Sequence, residues 1–342
     1  MRITYVTEDT ELWGGISIVF QHLELLAEAG HDVFLTTLSG KPDWYLLKVP
    51  LHTIERLDPS CIPAADIIVA TSWKTVRPVA ESKKGRAVHL CQGYEAALKE
   101  LSPFKSEIEE VYSLAVPILT VSSHLTDFIR KTFNAETYDI GQPINKTIFF
   151  PERNPLRRFL RRMRRPSSLL VVGPFLGSYK NIPAILQGIC IANRALERPL
   201  RLVRVSQFPL SSEEESILRA DEYRFRVPYN RMGRIYRSSE MLISLSTEAE
   251  GFGLPALEAM ACGIPTILSK IPSHLGFDAT HDYALFVDSE PEALAEGIRE
   301  MCTNRELRNR LSKRGLAVTE KFAAKEVLER LVSAFERIIS HR

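Results

Sequence analysis

The stretch Ile243 to Ile267, ISLSTEAEGFGLPALEAMACGIPTI, constrains the fold more than any other part of the chain. Residues 243–246 are suited to a short, buried parallel strand. Gly251 and Gly253 then allow a sharp turn and a close approach to a ligand, because neither residue carries a Cβ atom. A helix over Leu254 to Cys262 follows, with a proline in its first turn and a glycine and a proline after its end. The helix therefore begins where the glycines are.

Two glutamates flank the start of this helix. The N-terminus of a helix offers unpaired N–H groups and about half a positive charge, which together suit a phosphate. Glu250 precedes the turn and Glu258 lies about one turn into the helix, so both carboxylates can face a bound ligand. Because carboxylates repel phosphate, we expect them to accept hydrogen bonds from hydroxyl groups. This combination indicates a sugar nucleotide, although each glutamate alone also fits an ordinary strand-to-helix turn.

The run Glu250-Gly-Phe-Gly-Leu-Pro-Ala-Leu-Glu258 resembles the Glu-x7-Glu signature of the retaining GT-B glycosyltransferases of family 4, the group 1 glycosyltransferases. The resemblance implies an α/β fold of two Rossmann-like parallel-sheet domains that face each other across a cleft. It places an N-terminal acceptor-binding domain over residues 1–150 and a C-terminal nucleotide-sugar (donor) domain over residues 151–320. A C-terminal helix over residues 321–342 is expected to pack back on the N-terminal domain.

The resemblance also assigns roles to individual residues. Glu250 would bind hydroxyls of the donor sugar, Glu258 would bind the ribose, and Thr247 would lie near the phosphates. A glycine pair after the first strand would lie over the donor diphosphate, although a flexible turn explains the same pair equally well. The expected donor-binding residues are Glu258, Thr247, Gly251, Phe252, Gly253, Leu254, Gly14 and Gly15, and the expected catalytic residues are Glu250, Lys180 and Gln92.

The sequence departs from the family pattern at two of these places. Where the family carries Gly-Arg-x5-Lys, Lys180 matches the lysine but Pro174 replaces the arginine, so one cation over the diphosphate is kept and one is lost. Many members place a histidine beside the reacting sugar, and strand alignment puts Gln92 there instead. His89 lies inside an apolar strand, where a histidine is more often a core residue than a catalyst. The surrounding Gln-x-Tyr-Glu resembles some rhamnosyltransferase-like members.

No Asp-x-Asp motif occurs, so we expect no metal site and no cofactor, with a nucleoside-diphosphate sugar as the substrate. The charge on the leaving diphosphate would be met by Lys180 and by N–H groups around Gly253 and Leu254. The resemblance implies transfer with retention at the anomeric carbon, in which the leaving phosphate helps to deprotonate the acceptor hydroxyl. No protein nucleophile is then required.

Length and patterning agree with this scheme. At 342 residues the chain is long enough for two domains, and strands alternate with helices along it as in parallel sheets covered on both faces. The expected strands include Ile67 to Ala70, Phe225 to Val227 and Thr266 to Ser269, and the expected helices include His124 to Phe133 and Ile182 to Leu196. It opens directly on a strand, so we expect no secretory signal. Its five cysteines lie far apart without metal-ligand spacing, which is typical of reduced thiols in a cytoplasmic protein. The net charge of +2 indicates little about partners, and we expect no nucleic acid among them.

One stretch of the linker region is unusual. In Leu156 to Arg165, apolar residues at helical spacing alternate with arginines. A basic amphipathic helix of this kind can lie on an anionic membrane surface, which would make the protein peripheral at the inner membrane face. An interdomain helix with solvated arginines is the plainer alternative.

We therefore predict a metal-independent glycosyltransferase that moves a hexosyl or deoxyhexosyl group from a nucleotide sugar to a hydroxyl acceptor. The acceptor would be a saccharide, a lipid-linked sugar or a small-molecule glycoside, in cell-surface polysaccharide or glycoconjugate biosynthesis. A catalytically degenerate nucleotide-sugar-binding protein of the same fold is the chief alternative. A GT-B-like epimerase or a phosphorylase is a further one, but no acid–base pair or pyridoxal-phosphate lysine is evident for either.

Overall fold

A computed structural model describes residues 1–163 and 166–340 of the chain. The chain divides into two compact units. Unit 1 combines Met1–Pro143 with the C-terminal segment that begins at Ala324, and unit 2 is Ile144–Ala323. The acceptor and donor roles expected for the two halves of the chain remain predictions.

Unit 1 is built on a parallel sheet of seven strands. The strands are β1 (Arg2–Thr7), β2 (Asp32–Thr37), β3 (Leu51–Thr53), β4 (Ile67–Ala70), β5 (Arg86–Cys91), β6 (Ile118–Thr120) and β7 (Thr137–Asp139). Their order in the sheet is β3-β2-β1-β4-β5-β6-β7, and every pairing is parallel. The helices between them are α1 (Gly14–Glu28), α2 (Trp73–Ser82), α3 (Lys105–Tyr112) and α4 (Ser123–Phe133).

Unit 2 repeats the plan with six parallel strands. These are β8 (Ser168–Val172), β9 (Arg201–Ser206), β10 (Glu222–Phe225), β11 (Leu242–Ser244), β12 (Thr266–Ser269) and β13 (Leu285–Val287), in the order β10-β9-β8-β11-β12-β13. Its helices are α5 (Pro155–Met163), α6 (Ile182–Ala195), α7 (Ser212–Ile217), α8 (Tyr229–Ser238), α9 (Leu254–Ala261), α10 (Pro272–Leu275), α11 (Pro291–Thr303) and α12 (Arg305–Val318).

The last helix, α13 (Ala324–Ser340), belongs to unit 1. It contacts α1, and the Arg330 Nε donates a hydrogen bond of 3.0 Å to the carbonyl of Ile140. Its buried residues recur at helical spacing on one face: Val327, Leu331, Ala334, Phe335 and Ile338. Helix α13 is therefore amphipathic, with its apolar face buried within unit 1.

The central strands are apolar on both faces because helices cover each sheet on both sides. All four residues of β4 and all four of β12 are buried. In unit 2, α6 and α11 pack together, and one core cluster includes the buried residues Ile185, Ile189 and Ile298 of these helices. In both sheets the order of the strands reverses beside the first strand of the unit, between β1 and β4 in unit 1 and between β8 and β11 in unit 2. The α/β prediction, with two Rossmann-like parallel-sheet domains, is confirmed.

Two details differ from the sequence-based expectation. The strand expected at Phe225 to Val227 is β10, and it ends at Phe225, because Arg226 adopts a left-handed backbone with a φ of 47°. The glycine pair expected in a loop forms the first residues of α1 instead.

Three of the cysteines, Cys91, Cys262 and Cys302, are buried and two are half-buried. Over the described residues, no helix combines the length and the apolar character needed to span a membrane.

Candidate functional site

The candidate site lies at the carboxyl edge of the sheet in unit 2. Strand order reverses between β8 and β11, and in open parallel sheets ligands bind outside the strand ends at such a reversal. The loop after β8 leads to Lys180 and α6, and the loop after β11 leads to Glu250 and α9. A third segment, after β12, leads to His274 in α10. The three segments bring their polar side chains to one place.

Lys180 and Glu250 form a buried ion pair. The Lys180 Nζ lies 2.5 Å from the Glu250 Oε2, and the two residues are 9% and 7% exposed. Burial alone raises the pKa of Glu250, but the charge of Lys180 and its hydrogen bond outweigh burial, so the pKa lies below its usual value. Burial lowers the pKa of Lys180, and the Glu250 charge outweighs it and raises this pKa. Both groups are therefore charged at neutral pH.

Glu250 also fixes the turn that precedes α9. Its Oε2 accepts a hydrogen bond of 2.8 Å from the Ser246 hydroxyl, and its Oε1 accepts one of 3.2 Å from the Gly253 N–H. Its own N–H donates to the Thr247 carbonyl at 3.0 Å. The carboxylate thus joins Lys180, the start of the loop after β11 and the residue before α9. Removing its charge would disturb all three.

Gly253 occupies a position that other residues adopt only under strain. Its φ is +93°, in the left-handed region, and it is the residue that precedes the first turn of α9. A Cβ atom placed there would lie 2.9 Å from the Cδ2 of His274. The glycine is therefore required both by the backbone conformation and by the close approach of the imidazole ring.

His274 is a site residue that the sequence analysis missed. It is fully buried, and its Nδ1 lies 3.2 Å from both the hydroxyl and the carbonyl oxygen of Ser269. The Tyr283 hydroxyl donates to the His274 carbonyl at 2.6 Å. The electrostatic interaction with His274 is one of the smaller causes that lower the pKa of Glu250. Its signal in the sequence is weak, because a lone histidine in a four-residue helix fits many structural roles.

Glu258 lies on α9 in a different environment. It is 9% exposed, and its Oε2 accepts a hydrogen bond of 2.7 Å from the Tyr236 hydroxyl. Burial raises the pKa of Glu258 to about 7, while the Tyr236 hydrogen bond and the charge of Lys180 pull it down by less. The two glutamates therefore differ: Glu250 is held ionised, and Glu258 is poised to change its charge near neutral pH.

The start of the loop that carries Lys180 is held by a buried arginine of the neighbouring strand. Arg204 of β9 is fully buried, pairs with Glu214 at 2.6 Å, and donates to the carbonyls of Val171 and Gly173 at 3.0 and 3.1 Å. It anchors the end of β8, where the loop to Lys180 begins. With no exposed surface, Arg204 is not placed to replace the arginine that Pro174 displaces. The sequence does not predict this role, because a single arginine within an apolar strand does not reveal its buried partner.

The remaining donor-binding predictions fall on the same turn. The Thr247 N–H donates to the Tyr179 carbonyl at 2.8 Å, which ties the β11 loop to the residue before Lys180. The Phe252 side chain packs against Phe277 and Phe322, with ring centroids 5.3 and 5.4 Å away. Its side chain is a packing element, so only its backbone is available to a ligand. Gly251 is buried beside it, and Leu254 begins α9.

The predicted residues of unit 1 lie together within that unit. The Gln92 Nε2 donates to the Gly15 carbonyl at 3.2 Å, and the Gln142 Nε2 donates to the Gln92 Oε1 at the same distance. Gly14 and Gly15 open α1, and Gln92 follows β5, so these groups share the carboxyl edge of the sheet. His89 is 1% exposed, and burial lowers its pKa to about 3. It is a neutral core residue.

Over residues 1–163 and 166–340, no group of three or more His, Cys, Asp or Glu side chains is arranged to hold a metal ion.

Comparison with known proteins supports a class for this arrangement. Residues 208–318 match the family model described as "Glycosyl transferases group 1", a segment that includes Glu250 and Glu258 but not Lys180. Over 115 residues the chain is 28% identical to an uncharacterized glycosyltransferase of Methanocaldococcus jannaschii, covering 33% of this chain and 32% of that protein. Over 88 residues it is 31% identical to the O-antigen chain mannosyltransferase B of Escherichia coli, covering 25% and 23%. The matches thus span a third or less of these relatives.

Solved structures resemble the whole chain. A sucrose-phosphate synthase from Thermosynechococcus elongatus superposes with a TM-score of 0.79 at 16% identity and covers 100% of both chains. The Anabaena protein HepE, solved in complex with UDP-glucose, gives a TM-score of 0.79 at 11% identity over 98% of this chain and 100% of its own. At these identities the likeness establishes the fold, which is that of the GT-B glycosyltransferases.

Residues 208–318 therefore resemble the group 1 glycosyltransferases, and the chain as a whole has the GT-B fold. The part of the chain that carries the sequence match is the part that holds the two glutamates and the start of α9.

Proposed function

We propose that this protein is a retaining glycosyltransferase that transfers a sugar from a nucleoside-diphosphate sugar to a hydroxyl acceptor. The observation that carries the proposal is the buried Lys180–Glu250 pair at the N-terminus of α9, with Glu258 on the same helix. A cation, a helix N-terminus and two carboxylates in one place fit a ligand with phosphates in its middle and hydroxyls on both sides.

The donor roles follow from the charges of these groups. The leaving diphosphate would be held by Lys180 and by the first N–H groups of α9, which are fixed before the reaction and need no reorganisation. Glu250, held ionised, would accept hydrogen bonds from sugar hydroxyls, and Glu258 would accept them from the ribose. The leaving phosphate would take the proton of the acceptor hydroxyl, with retention at the anomeric carbon and without a metal ion.

Unit 1 would then bind the acceptor, with Gln92 close to the reacting sugar and Gly14 and Gly15 near the donor phosphates. The Anabaena HepE structure contains UDP-glucose, and the E. coli relative is named a mannosyltransferase of the O-antigen chain. These names favour a hexosyl donor, of which UDP-glucose is the first to test, and a role in cell-surface polysaccharide or glycoconjugate synthesis. The buried and half-buried cysteines fit a reducing compartment, so we place the protein in the cytoplasm.

Turnover of the donor tests the proposal directly. The purified protein would be incubated with UDP-, GDP-, dTDP- and ADP-sugars, with water and then mixed saccharides as acceptors, and release of nucleoside diphosphate would be measured. One donor should be consumed, and NMR of the product should show the anomeric configuration of the donor. Inversion of that configuration would refute the retaining mechanism.

The same assay separates the alternatives. A degenerate binding protein would hold one nucleotide sugar without ever releasing diphosphate. An epimerase would convert the sugar of the donor without an acceptor and without net cleavage. Glu250→Gln is the preferred loss-of-function variant, because it keeps the shape of the side chain while removing the charge, and we expect it to reduce turnover more than nucleotide binding.

A further inference from the structure

Helix α5 exposes an apolar stripe. Its sequence is PLRRFLRRM, and Leu156, Phe159, Leu160 and Met163 are 63, 57, 53 and 48% exposed. These four positions recur at i, i+3, i+4 and i+7, which places them within an arc of about 100° on one side of the helix. Four of the twelve large hydrophobic side chains that are exposed in the described part of the chain therefore lie on one nine-residue helix.

The sequence around the stripe is strongly basic. From Arg153 to Arg165 the chain contains seven arginines and no acidic residue. Arg164 and Arg165, which end the stretch expected from the sequence to contact a membrane, lie outside the described residues. The sequence of α5, Pro155–Met163, carries four of the seven arginines, at the positions between the apolar ones. An apolar stripe within a run of like charge is unfavourable as a surface that faces only water.

Helix α12 adds two exposed cations to unit 2. It contacts α5, and its Arg310 and Lys313 are exposed and lie on one face of their helix at i and i+3. Both helices belong to unit 2.

We propose that α5 docks this protein on an anionic membrane surface. The helix would lie flat, with Leu156, Phe159, Leu160 and Met163 inserted at the boundary between headgroups and acyl chains, and the positive charge of its sequence would favour anionic headgroups. An anionic membrane offers both apolar acyl chains, which suit the exposed stripe, and negative headgroups, which suit the basic sequence of α5. The nine-residue length gives a reversible attachment, since a short interfacial helix buries little apolar area.

Vesicle co-sedimentation tests the docking without any need for turnover, so it can fail or succeed independently of the proposed enzyme activity. The full-length protein would be spun with vesicles of pure phosphatidylcholine and with vesicles that contain phosphatidylglycerol as well. The double variant Phe159→Ser/Leu160→Ser removes the centre of the stripe. Leu46→Ser/Phe225→Ser is the matched control, because these two side chains are 83% and 50% exposed at other places on the surface.

We expect binding to the anionic vesicles, about tenfold weaker binding to the neutral ones, and loss of binding as salt rises. Phe159→Ser/Leu160→Ser should reduce binding at least about tenfold, while the control pair should bind as the wild type does. Equal thermal unfolding of all three proteins would show that the variants fold.

Three results would overturn the docking. The first is no sedimentation of the wild type with anionic vesicles, and the second is equal binding by Phe159→Ser/Leu160→Ser. The third is a dimer in light scattering that dissociates in this variant while no vesicles are bound, since the stripe would then cover a second copy of the chain.

Discussion

Glu258 is the residue whose charge most depends on its surroundings. Burial raises its pKa from 4.5 to about 7, so near neutral pH about half of the unliganded molecules carry a protonated carboxyl there. A ribose that donates hydrogen bonds to the carboxylate would bind the ionised form better. Nucleotide binding would therefore draw a proton off Glu258.

This linkage predicts a pH dependence of nucleotide affinity. Affinity should rise by up to about tenfold between pH 6 and pH 8, because only the ionised fraction is competent. The β-phosphate of the nucleotide titrates in the same range, so the comparison is with Glu258→Gln, whose titration curve should keep only the contribution of the ligand. Isothermal titration at several pH values measures both proteins. Parallel pH profiles would contradict the assignment of Glu258.

The same carboxyl predicts a change in stability. Because its pKa is higher in the folded than in the unfolded chain, the folded state holds the proton more tightly, and the contribution of Glu258 to stability falls as pH rises from about 4.5 to about 7. Glu258→Gln removes this penalty while the Tyr236 hydrogen bond can remain. At pH 8 the variant should be more stable than the wild type by about 1–3 kcal/mol, and at pH 4 the two should be equal. Urea unfolding at both pH values measures the difference.

Lys180 and Glu250 depend on each other. Lys180→Met leaves a buried carboxylate without its cation and should cost about 3–5 kcal/mol of unfolding free energy. Lys180→Met/Glu250→Gln removes both charges and should recover most of that loss, although it should remain inactive. A double variant that loses the sum of the two single losses would show that the pair is not coupled.

Sequence reasoning found the charged residues of the site but not their partners. Glu250, Glu258 and Lys180 could be predicted from the spacing of a motif, and the structure brings Lys180 and Glu250 into contact. Tyr236 and His274 could not, because each is one polar residue in a short element, and only the fold brings it to the site. Phe252 belongs to the motif, but its side chain serves packing, which the motif does not distinguish from binding.

At the scale of elements, the turn before α9 determines where the helix N-terminus lies. Gly253 combines a positive φ with a close approach of His274. Gly30, at the end of α1, has a similar φ of 87°, but a Cβ atom there would meet no atom within 4 Å. A side chain at Gly30 would therefore meet only backbone strain, whereas one at Gly253 would meet backbone strain and crowding by His274.

Gly253→Ala should therefore destabilise the protein more than Gly30→Ala. We expect about 1 kcal/mol for Gly30→Ala from the backbone alone and about 2–4 kcal/mol for Gly253→Ala, because His274 must also move. Thermal unfolding measures both, and nucleotide binding should weaken only in Gly253→Ala. Equal losses in the two variants would show that the contact with His274 is unimportant.

Elements with strong periodicity or buried apolar runs could be read from the sequence. Strands β4 and β12 were predicted at their observed bounds, and α4, α6 and α9 within a residue or so at each end. The short strand β3 and the edge strand β10 were missed or misplaced, because their exposed and half-exposed residues carry no apolar run. Arg204 within β9 is the opposite case, since its charge is buried by a partner, Glu214, that only the fold supplies.

At the scale of the whole molecule, both units use the same strand order, and each gathers its polar groups at the carboxyl edge. This repeated plan follows from the alternation of strands and helices, which is why the fold could be predicted. The substrate could not be predicted in the same way. The acceptor depends on loops, and loops vary independently of the sheet that carries them.

In the proposed function, the start of α9 binds the nucleotide of a sugar donor. The most direct measurement is thermal unfolding of the wild type and Glu258→Ala with UDP, GDP, dTDP and ADP in turn, with Glu296→Ala, at an exposed position of α11, as the control. One nucleotide at about 100 times its dissociation constant should add about 2.7 kcal/mol to the wild type and to the control, and the shift should be lost in Glu258→Ala. The same shift in Glu258→Ala and the wild type would contradict the account.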